Sequence, residues 1–418
     1  MAVVAEAANV EEGEEGSRNP FVSPAFRTWW IASVVAGLGV GIQTTIVPLF
    51  IRDRVSDDAR ALAIAGELIA ANLAGTVLAL FGGVAADRMD RRAILVRTYA
   101  VAAVAAGLYL FLSGADIRAI WPVYFLAAVV GAAGAFTNAA RQSMVPSLVT
   151  RAQLQNGIIF GNMAFLALLQ FGGPMIGGFV ADGAGLTVAF TVEVCALALT
   201  VLLFTRVSRN TPVPTGRSVR GDLVDGLRYV RSSSALSGLL IIGIIPGIFI
   251  MGPFAVTVVI MVEDVFQASD KFVGMLWAGF GGGIMAGSIL MTLRKMPHRG
   301  LAACLCIISG GAVFFAYGLT SNVAIAIFLL VVLGIVGPAI FINTVVALLQ
   351  ENTEPRMMGR VMSMYSLTFT ASAPIGYLQA GLIADNFGPR ATILVGASIC
   401  VALGAVLTLV MRPVTRLP

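Results

Sequence analysis

Charged side chains are scarce in this sequence: Asp, Glu, Lys and Arg make up only 12% of its 418 residues, whereas 58% are hydrophobic. The mean hydropathy of +0.91 is far above that of a soluble globular domain. A soluble chain of this length needs more charge on its surface to stay dispersed. The composition therefore excludes an ordinary soluble protein and predicts an all-α protein that crosses a membrane many times.

Histidine and cysteine are also rare. The single histidine, His298, cannot build a metal site or a catalytic pair, and the four cysteines all lie inside apolar segments. The sequence has no phosphate-cradling loop and no serine–histidine arrangement, so we expect no enzyme, no metal, no cofactor and no direct use of ATP. The net charge of +5 is dispersed between apolar runs, which argues against nucleic-acid binding.

Twelve segments are apolar and long enough to span a bilayer, which takes about 20 residues. They are 27–51, 61–86, 93–114, 120–142, 156–180, 186–205, 237–261, 272–293, 301–319, 323–349, 361–384 and 391–411. Most of the 27 basic residues then fall on one side of the membrane. Because basic loops stay in the cytoplasm, both termini are predicted to be cytoplasmic, in a multi-pass protein of the cell (inner or plasma) membrane.

The pattern divides the chain into two six-helix bundles joined by a polar linker at its midpoint. The acidic start reads as a disordered cytoplasmic tail and not as a signal peptide. Asp222–Arg231 in the linker is a candidate short amphipathic helix at the membrane surface. The predicted units are the tail 1–26, a first bundle 27–206, the linker 207–236, a second bundle 237–411 and a tail 412–418.

An internal repeat supports this division. Gly178–Gly185 and Gly381–Gly388 both read G-x-x-A-D-x-x-G at an offset of 203 residues, and Gly83–Asp90 is a third, imperfect copy. Twelve spans with related halves are the signature of transporters built from repeats, in two pseudo-symmetric bundles.

The loop after the second span, Gly82–Arg92, has the sequence G-G-V-A-A-D-R-M-D-R-R. It resembles the signature G-x-x-x-D-R-x-G-R-R of the major facilitator superfamily, with Asp90 at the usual second glycine. Asn138–Asn156 and Gln350–Met364 resemble two further loops of the drug and siderophore exporter branch, which includes macrolide-efflux and enterobactin-exporter proteins. The resemblance implies transport by alternating access.

The same resemblance implies a gate on the cytoplasmic side. A carboxylate at the end of the second span can cap a neighbouring helix or pair with an arginine; the candidate partners are Arg141 and the start of the eleventh span near Arg360. The arginines of the loop also satisfy the plain topology rule. The candidate gating residues are Gly83, Asp87, Arg88, Arg91, Arg92, Arg141 and Arg360.

The fifth span carries a small-residue element that resembles the G-P-x-x-G-G motif of exporters: Gly173, Pro174, Gly177 and Gly178. Small residues allow close approach to another helix, which we expect to be the eighth, and pure packing explains the element equally well.

Carboxylates inside spans are costly and mark functional sites by default. Glu67 in the second span and Glu193 in the sixth are the candidates for proton coupling, with a structural hydrogen bond as the alternative. The resemblance implies that the second span borders the central cavity and that the sixth is peripheral, so Glu67 is preferred.

The candidate cavity residues are uncharged: Gln43, Thr44, Asn72, Gln170, Trp277 and Asn343. Such a lining suits amphipathic small molecules, and the sequence predicts their export in exchange for protons by a monomer in the lipid bilayer. An importer or lysolipid flippase of the same fold is the alternative. A receptor or enzyme on a transporter-like scaffold is the alternative of another class.

Overall fold

The computed structural model describes residues 18–115, 119–210, 227–293, 298–415 and 417. Within them every predicted span coincides with a helix, and there is no strand. We number these helices α1 (Pro24–Arg52), α2 (Arg60–Arg88), α3 (Arg91–Gly114), α4 (Trp121–Met144), α5 (Arg151–Ala184), α6 (Leu186–Thr205), α7 (Ser234–Val265), α8 (Lys271–Leu293), α9 (Arg299–Leu319), α10 (Val323–Glu351), α11 (Met358–Phe387) and α12 (Pro389–Val410).

Eleven of these helices are long and apolar enough to cross a membrane, by length and composition. The exception is α11, which has 30 residues and carries several serines and threonines. The predicted tail up to residue 17, the linker residues 211–226 and the loop 294–297 lie outside the described residues. Residues 227–232, at the end of the predicted amphipathic segment, are helical.

Three helices contain π-helical turns, and three of the four described turns contain a proline or end two residues before one; the fourth, Met261–Val265 at the end of α7, has no proline. In α5 the turn Leu168–Gly172 comes before Pro174, and in α7 the turn Gly247–Met251 comes before Pro253. The turn in α10, Ile335–Ile340, contains Pro338. Proline has no N–H to give and clashes with the preceding turn, so the helix widens there instead of keeping regular hydrogen bonds.

Contacts between helices separate the chain into a first half, α1–α6, and a second half, α7–α12. In the first half α2 packs on α4 and α6 packs on α1 and α3; in the second half α9 packs on α12 and α8 on α10. Two helix pairs carry most of the contact between the halves: α2 with α11, and α5 with α8. These two pairs therefore form most of the boundary between the halves.

Candidate functional site

The molecule has two different ends. We call the end that holds the α1–α2, α5–α6, α7–α8 and α11–α12 connections the closed end, because ion pairs join the two halves there. We call the opposite end, which holds the α2–α3 connection at Met89 and Asp90, the motif end.

Arg52, the last residue of α1, is the centre of the charge network at the closed end. Its Nη1 and Nη2 donate to Oδ1 and Oδ2 of Asp270, at 2.6 and 3.1 Å, in the loop before α8. Its Nε also donates to Asp53 at 2.8 Å and lies 3.6 Å from Glu263. The Arg52 side chain is only 13% exposed, so this forked contact between the halves is partly shielded from water.

Arg60, the first residue of α2, repeats the arrangement. Its Nη1 donates to Oε2 of Glu263 at 3.2 Å and lies 3.7 Å from Oδ1 of Asp264, both at the end of α7. Its Nη2 lies 2.6 Å from Asp57 in its own half. Glu263 therefore lies within reach of both arginines, and it couples the end of α7 to α1 and α2.

A carboxylate of α11 caps α2 across the boundary between the halves. Asp385 accepts hydrogen bonds from the backbone N–H groups of Ala61 and Leu62, at 2.9 and 3.0 Å. These groups belong to the first turn of α2, where backbone donors have no partner within the helix. Gly381 makes the approach feasible, because a Cβ at this position would lie 3.0 Å from Cα of Leu62.

The second copy of the repeat lies at the other contact between the halves. Gly178 of α5 packs on the backbone of Gly274 of α8, and Asp182 lies 3.8 Å from Nζ of Lys271 at the start of α8. The repeat therefore has a similar structural role in both halves. Its first glycine lets a helix of the other half approach, and its aspartate reaches the beginning of that helix.

The last glycine of the repeat ends the helix. Gly185 and Gly388 have φ of +87° and +85°, a conformation that favours glycine, and their N–H groups donate to Ala181 and Ala384. Asp90, in the imperfect copy, has φ of −59° instead. Its carboxylate accepts from the N–H groups of Arg92 and Asn210, so it caps α3 and holds the chain that follows α6.

At the motif end, Asp87 and Arg88 are exposed, and Gly83 has open space beside it. Arg91 donates to the carbonyls of Ala86 and Ser143, which ties the loop to the end of α4, and Arg92 donates to the carbonyl of Thr205. Within the described residues Asp87 makes no ion pair.

The two arginines predicted to partner Asp87 make other contacts. Arg141 is buried in the first half with its guanidinium 3.9 Å above the ring of Phe165. Arg360, near the start of α11, contacts the sulfur of Met357. The described ion pairs between the halves therefore lie at the closed end, and the predicted gate contact of Asp87 is not formed.

A cavity of about 690 Å³ lies between α2, α4 and α11, on the motif side of the charge network. Its lining contains no charged side chain, and seven of its residues carry a hydroxyl or amide group: Asn72, Thr76, Asn138, Ser363, Ser366, Thr370 and Tyr377. The rest of the lining is apolar or small, including Leu68, Met362 and Gly134. This uncharged, mostly apolar wall with scattered polar groups is the usual form of a site for organic small molecules.

Several hydroxyl hydrogens of the lining are already used. Ser363 donates to the carbonyl of Gly359 at 2.8 Å, and Thr370 donates to the carbonyl of Ser366. Thr76 lies 3.4 Å from Oδ1 of Asn72, which it approaches as a donor. A hydroxyl whose hydrogen is engaged offers only lone pairs, so these positions accept hydrogen bonds from a bound molecule.

Of the two candidate coupling residues, Glu67 is the one beside the cavity. It is half-buried on α2, directly before the cavity residue Leu68, and within electrostatic range of Tyr377 on α11. Glu193 on α6 is fully buried, and neither of its carboxylate oxygens has a hydrogen-bond partner among the described residues. Both Glu67 and Glu193 are within electrostatic range of the buried Tyr109, which does not line the cavity.

Of the six candidate cavity residues, Asn72 lines this cavity and the other five do not. Gln43 and Thr44 are half-buried on α1, and the backbone carbonyl of Gln170 packs on Gly281 of α8. Trp277 packs edge-on against Phe254, and Asn343 donates to Ala339 and Ser288.

The small-residue element of α5 lies against two helices. Gly173 packs on Gly41 of α1, Gly177 packs on Ile42, and Gly178 packs on Gly274 of α8. Pro174 contributes its carbonyl, which accepts from the hydroxyl of Thr45 at 3.2 Å. Within these six residues α5 therefore contacts α1 of its own half and α8 of the other half.

The sequence-based predictions omitted the α11 wall of the cavity, formed by Met362, Ser363, Ser366, Leu367, Thr370 and Tyr377. Their spacing of three, four or seven residues places them on one face of a helix, and this polar stripe was the available signal. Gln379 was also omitted; its amide donates at 3.1 Å to the carbonyl of Ile248, in the π turn of α7. The described residues contain no group of three or more His, Cys, Asp or Glu arranged to hold a metal.

Residues 15–416 match the family described as transmembrane secretion effector. This chain belongs to that family. The resemblance to the major facilitator superfamily is thereby confirmed. Multidrug efflux pump Tap of Mycobacterium tuberculosis is 26% identical over 404 residues, which cover 93% of this chain and 94% of that protein. Macrolide efflux protein A of Streptococcus pyogenes is 21% identical over 338 residues, covering 78% and 82%.

Solved structures show the same fold. A bacterial homolog of the human lysosomal transporter Spinster, in an inward-facing and occupied conformation, superposes with a TM-score of 0.74 at 14% identity and covers 96% of this chain and 98% of its own. The nucleoside transporter NupG superposes with a TM-score of 0.69 at 13% identity, covering 94% and 100%. The chain therefore shares the fold of these two proteins.

Proposed function

We propose that this protein is a secondary active transporter that exports amphipathic and hydrophobic organic compounds, of the drug or siderophore type, by alternating access. The observation that carries the proposal is the pairing of a closed end with an uncharged cavity between the halves. Rocking of the halves would break the contacts of Arg52, Arg60 and Asp385 and make new ones at the motif end. The relatives named as multidrug and macrolide efflux proteins support the export direction.

The orientation follows from the basic residues. We assign the motif end, which holds Arg88, Arg91 and Arg92, to the cytoplasm, and the closed end to the outside of the cell membrane. The bundles 27–206 and 237–411 are then the two moving units, joined by the linker 207–236, with both termini inside. A monomer is sufficient for this mechanism, because the cavity lies between the halves of one chain.

The lining of the cavity favours donor-bearing, positively charged substrates over anions. Ser363 and Thr370 face a bound molecule as acceptors, and no basic side chain lines the cavity. Glu67 adds a carboxylate beside it. A protonated amine on an otherwise apolar molecule satisfies both features, because it donates hydrogen bonds and balances the carboxylate.

Proton antiport is the proposed driving force, with Glu67 as the coupling carboxylate. A carboxylate inside a span is costly and marks a functional position. Its place beside the cavity lets one group bind either a proton or a cationic substrate, and such competition would couple the two movements. Glu193, which is buried in the first half away from the cavity, serves as the comparison position.

Purified protein in liposomes tests the proposal. An imposed pH gradient should drive a cationic dye such as ethidium against its own gradient, and an anionic dye of similar size should not move. Glu67→Gln should abolish the gradient-driven movement and weaken, without abolishing, binding of the cationic dye. Glu193→Gln should retain most of the movement. Movement that ignores the pH gradient would overturn the coupling.

Direction is tested by reversing the pH gradient. Proton antiport predicts dye uptake only into vesicles whose lumen is acidic, whichever end of the protein faces the bath. Uptake of the opposite polarity would identify an importer. Movement of lysolipids without movement of any dye would identify a flippase.

A further inference from the structure

The interior of the first half contains a buried cation with unused donors. Arg141 of α4 is 4% exposed, and its Nε and Nη1 have no hydrogen-bond partner among the described residues. Its guanidinium carbon lies 3.9 Å from the centre of the Phe165 ring. Arginine stays protonated in proteins, so its charge cannot be removed by loss of a proton.

Three further polar groups in the same interior lack partners. The hydroxyl of Tyr99, the indole N–H of Trp29 and the hydroxyl of Ser33 are all buried and without a hydrogen bond among the described residues. Tyr99 lies within electrostatic range of Arg141, and Trp29 belongs to the same apolar cluster as Tyr99 and Phe165.

The helix contacts place Ser33 with this group. Trp29 of α1 packs on Gly161 of α5, and Gly37 of α1 packs on the carbonyl of Phe165. Because α1 and α5 run side by side here, Ser33, midway between Trp29 and Gly37, is level with the turn of α5 that carries Phe165. All four polar groups are able to donate, and two of them, the guanidinium and the indole, are donors only.

The attraction between a cation and an aromatic ring is smaller than the cost of taking a guanidinium out of water. A buried charge therefore needs an anion. Asp87, the carboxylate predicted as a partner, is exposed and unpaired within the described residues. Rocking of the halves cannot bring it to Arg141, since α2 and α4 belong to the same half and are in backbone contact at Gly131 and Ala71.

We propose that Arg141, Tyr99, Trp29 and Ser33 form a binding site for a small monovalent anion of the size of chloride. One formal positive charge calls for a monovalent ion. The surrounding side chains, among them Ala140, Met144 and Phe204, are buried and apolar, so the proposal is limited to a small ion. The site is separate from the cavity, because none of its four residues lines it.

Trp29 supplies a direct readout. The chain has four tryptophans, so replacing Trp30, Trp121 and Trp277 by Phe leaves Trp29 as the only indole. Iodide, a chloride-sized heavy anion, should then quench its fluorescence along a curve that saturates. Chloride should compete with iodide, and gluconate at the same ionic strength should not.

Arg141→Gln should abolish the saturable quenching. Arg91→Gln is the matched control, because Arg91 is at the same end but already donates to two carbonyls, and it should leave the curve unchanged. Tyr99→Phe removes one hydroxyl without changing the packing, and it should weaken iodide binding roughly two- to tenfold, the worth of one hydrogen bond. If Arg141→Gln does not fold, the loss of affinity in Tyr99→Phe still tests the proposed site.

Quenching that rises linearly without saturation would overturn the site, and so would saturable quenching that survives both Arg141→Gln and Tyr99→Phe. The effect of Asp87→Asn separates a free ion from an internal carboxylate. Unchanged iodide affinity in this variant supports the free ion. Binding that occurs only after Asp87→Asn would assign Asp87 as the partner of Arg141 and overturn the proposal.

Discussion

Asp385 holds the closed end through two hydrogen bonds that exist only while the halves are together there. Its oxygens accept from the N–H groups of Ala61 and Leu62, in the other half. Asp385→Asn keeps the size of the side chain but leaves one acceptor oxygen and no charge at the start of α2. The lost capping interaction is worth about 1–3 kcal/mol, from the range for caps and charge-assisted hydrogen bonds.

Because the loss affects only the state that is shut at this end, it shifts the equilibrium between the two states by the same amount. A change of about 1–3 kcal/mol is a factor of roughly 5 to 150 in the population that is open at the closed end. Spin labels at Asp58 and Ser269, which are exposed on opposite halves at this end, report the opening as a longer distance in pulsed electron resonance. The four native cysteines are replaced first.

Asp182→Asn is the matched control, since it makes the same chemical change at the repeated position. Its carboxylate lies 3.8 Å from Lys271, whose side chain is 38% exposed, and such exposed pairs contribute about 1 kcal/mol or less. We expect a smaller shift. A distance distribution for Asp385→Asn that matches the unmodified protein would refute the reasoning, and so would a larger effect of Asp182→Asn.

Three other predictions concern the same machinery. Gly134→Phe should block dye transport without unfolding the protein, since a side chain there enters the cavity unopposed; Gly107→Phe, also in open space but outside the lining, should not. In the cysteine-free protein, Ala65→Cys with Gly381→Cys should form a disulfide under oxidation that stops transport until it is reduced. A Cβ on Gly381 would lie 2.9 Å from that of Ala65, and a small outward shift brings the pair into the range of about 3.5–4.5 Å that disulfides span. Arg52→Gln should open the closed end as Asp385→Asn does, and normal closure in both variants would exclude the charge network as a gate.

The positions of the helices could be read from hydropathy, but their ends could not. The fifth span was predicted as 156–180, whereas α5 is Arg151–Ala184. Its first turn is polar and is set by a capping box between Thr150 and Gln153, which hydropathy does not detect. Likewise α11 extends to Phe387, beyond its predicted end at 384, because a glycine with positive φ ends the helix after the apolar run.

The cavity was predicted in part, and the omission has a physical cause. Asn72 stands out in an apolar helix as a costly amide, so it was selected. Ser363, Ser366 and Thr370 do not stand out, since hydroxyls can satisfy themselves on the preceding turn of their own helix. Ser363 and Thr370 donate hydrogen bonds to carbonyls of the preceding turn, and yet all three residues line the cavity.

The approach of the fifth span to the eighth was expected, but the residue partners of the two repeat aspartates across the halves could not be predicted. The repeat identified Asp182 and Asp385 as equivalent positions, but the sequence does not say which helix of the other half begins beside each one. A contact of this kind joins residues more than 300 positions apart, as Ala61 and Asp385 are. It is set by how the two bundles dock, and no local pattern in either segment records that.

The two copies of the repeat differ in the partners that their aspartates bind. Gly178 and Gly381 have the same role, because each lets a helix of the other half approach to backbone contact. The aspartates that follow do not: Asp385 bonds to backbone N–H groups of α2, whereas Asp182 faces the flexible side chain of Lys271. A bond to backbone is fixed in direction and is lost abruptly when helices separate, while a lysine can follow a retreating carboxylate. We therefore predict that the contact of α2 with α11 is the latch of the closed end and that the halves slide along the contact of α5 with α8.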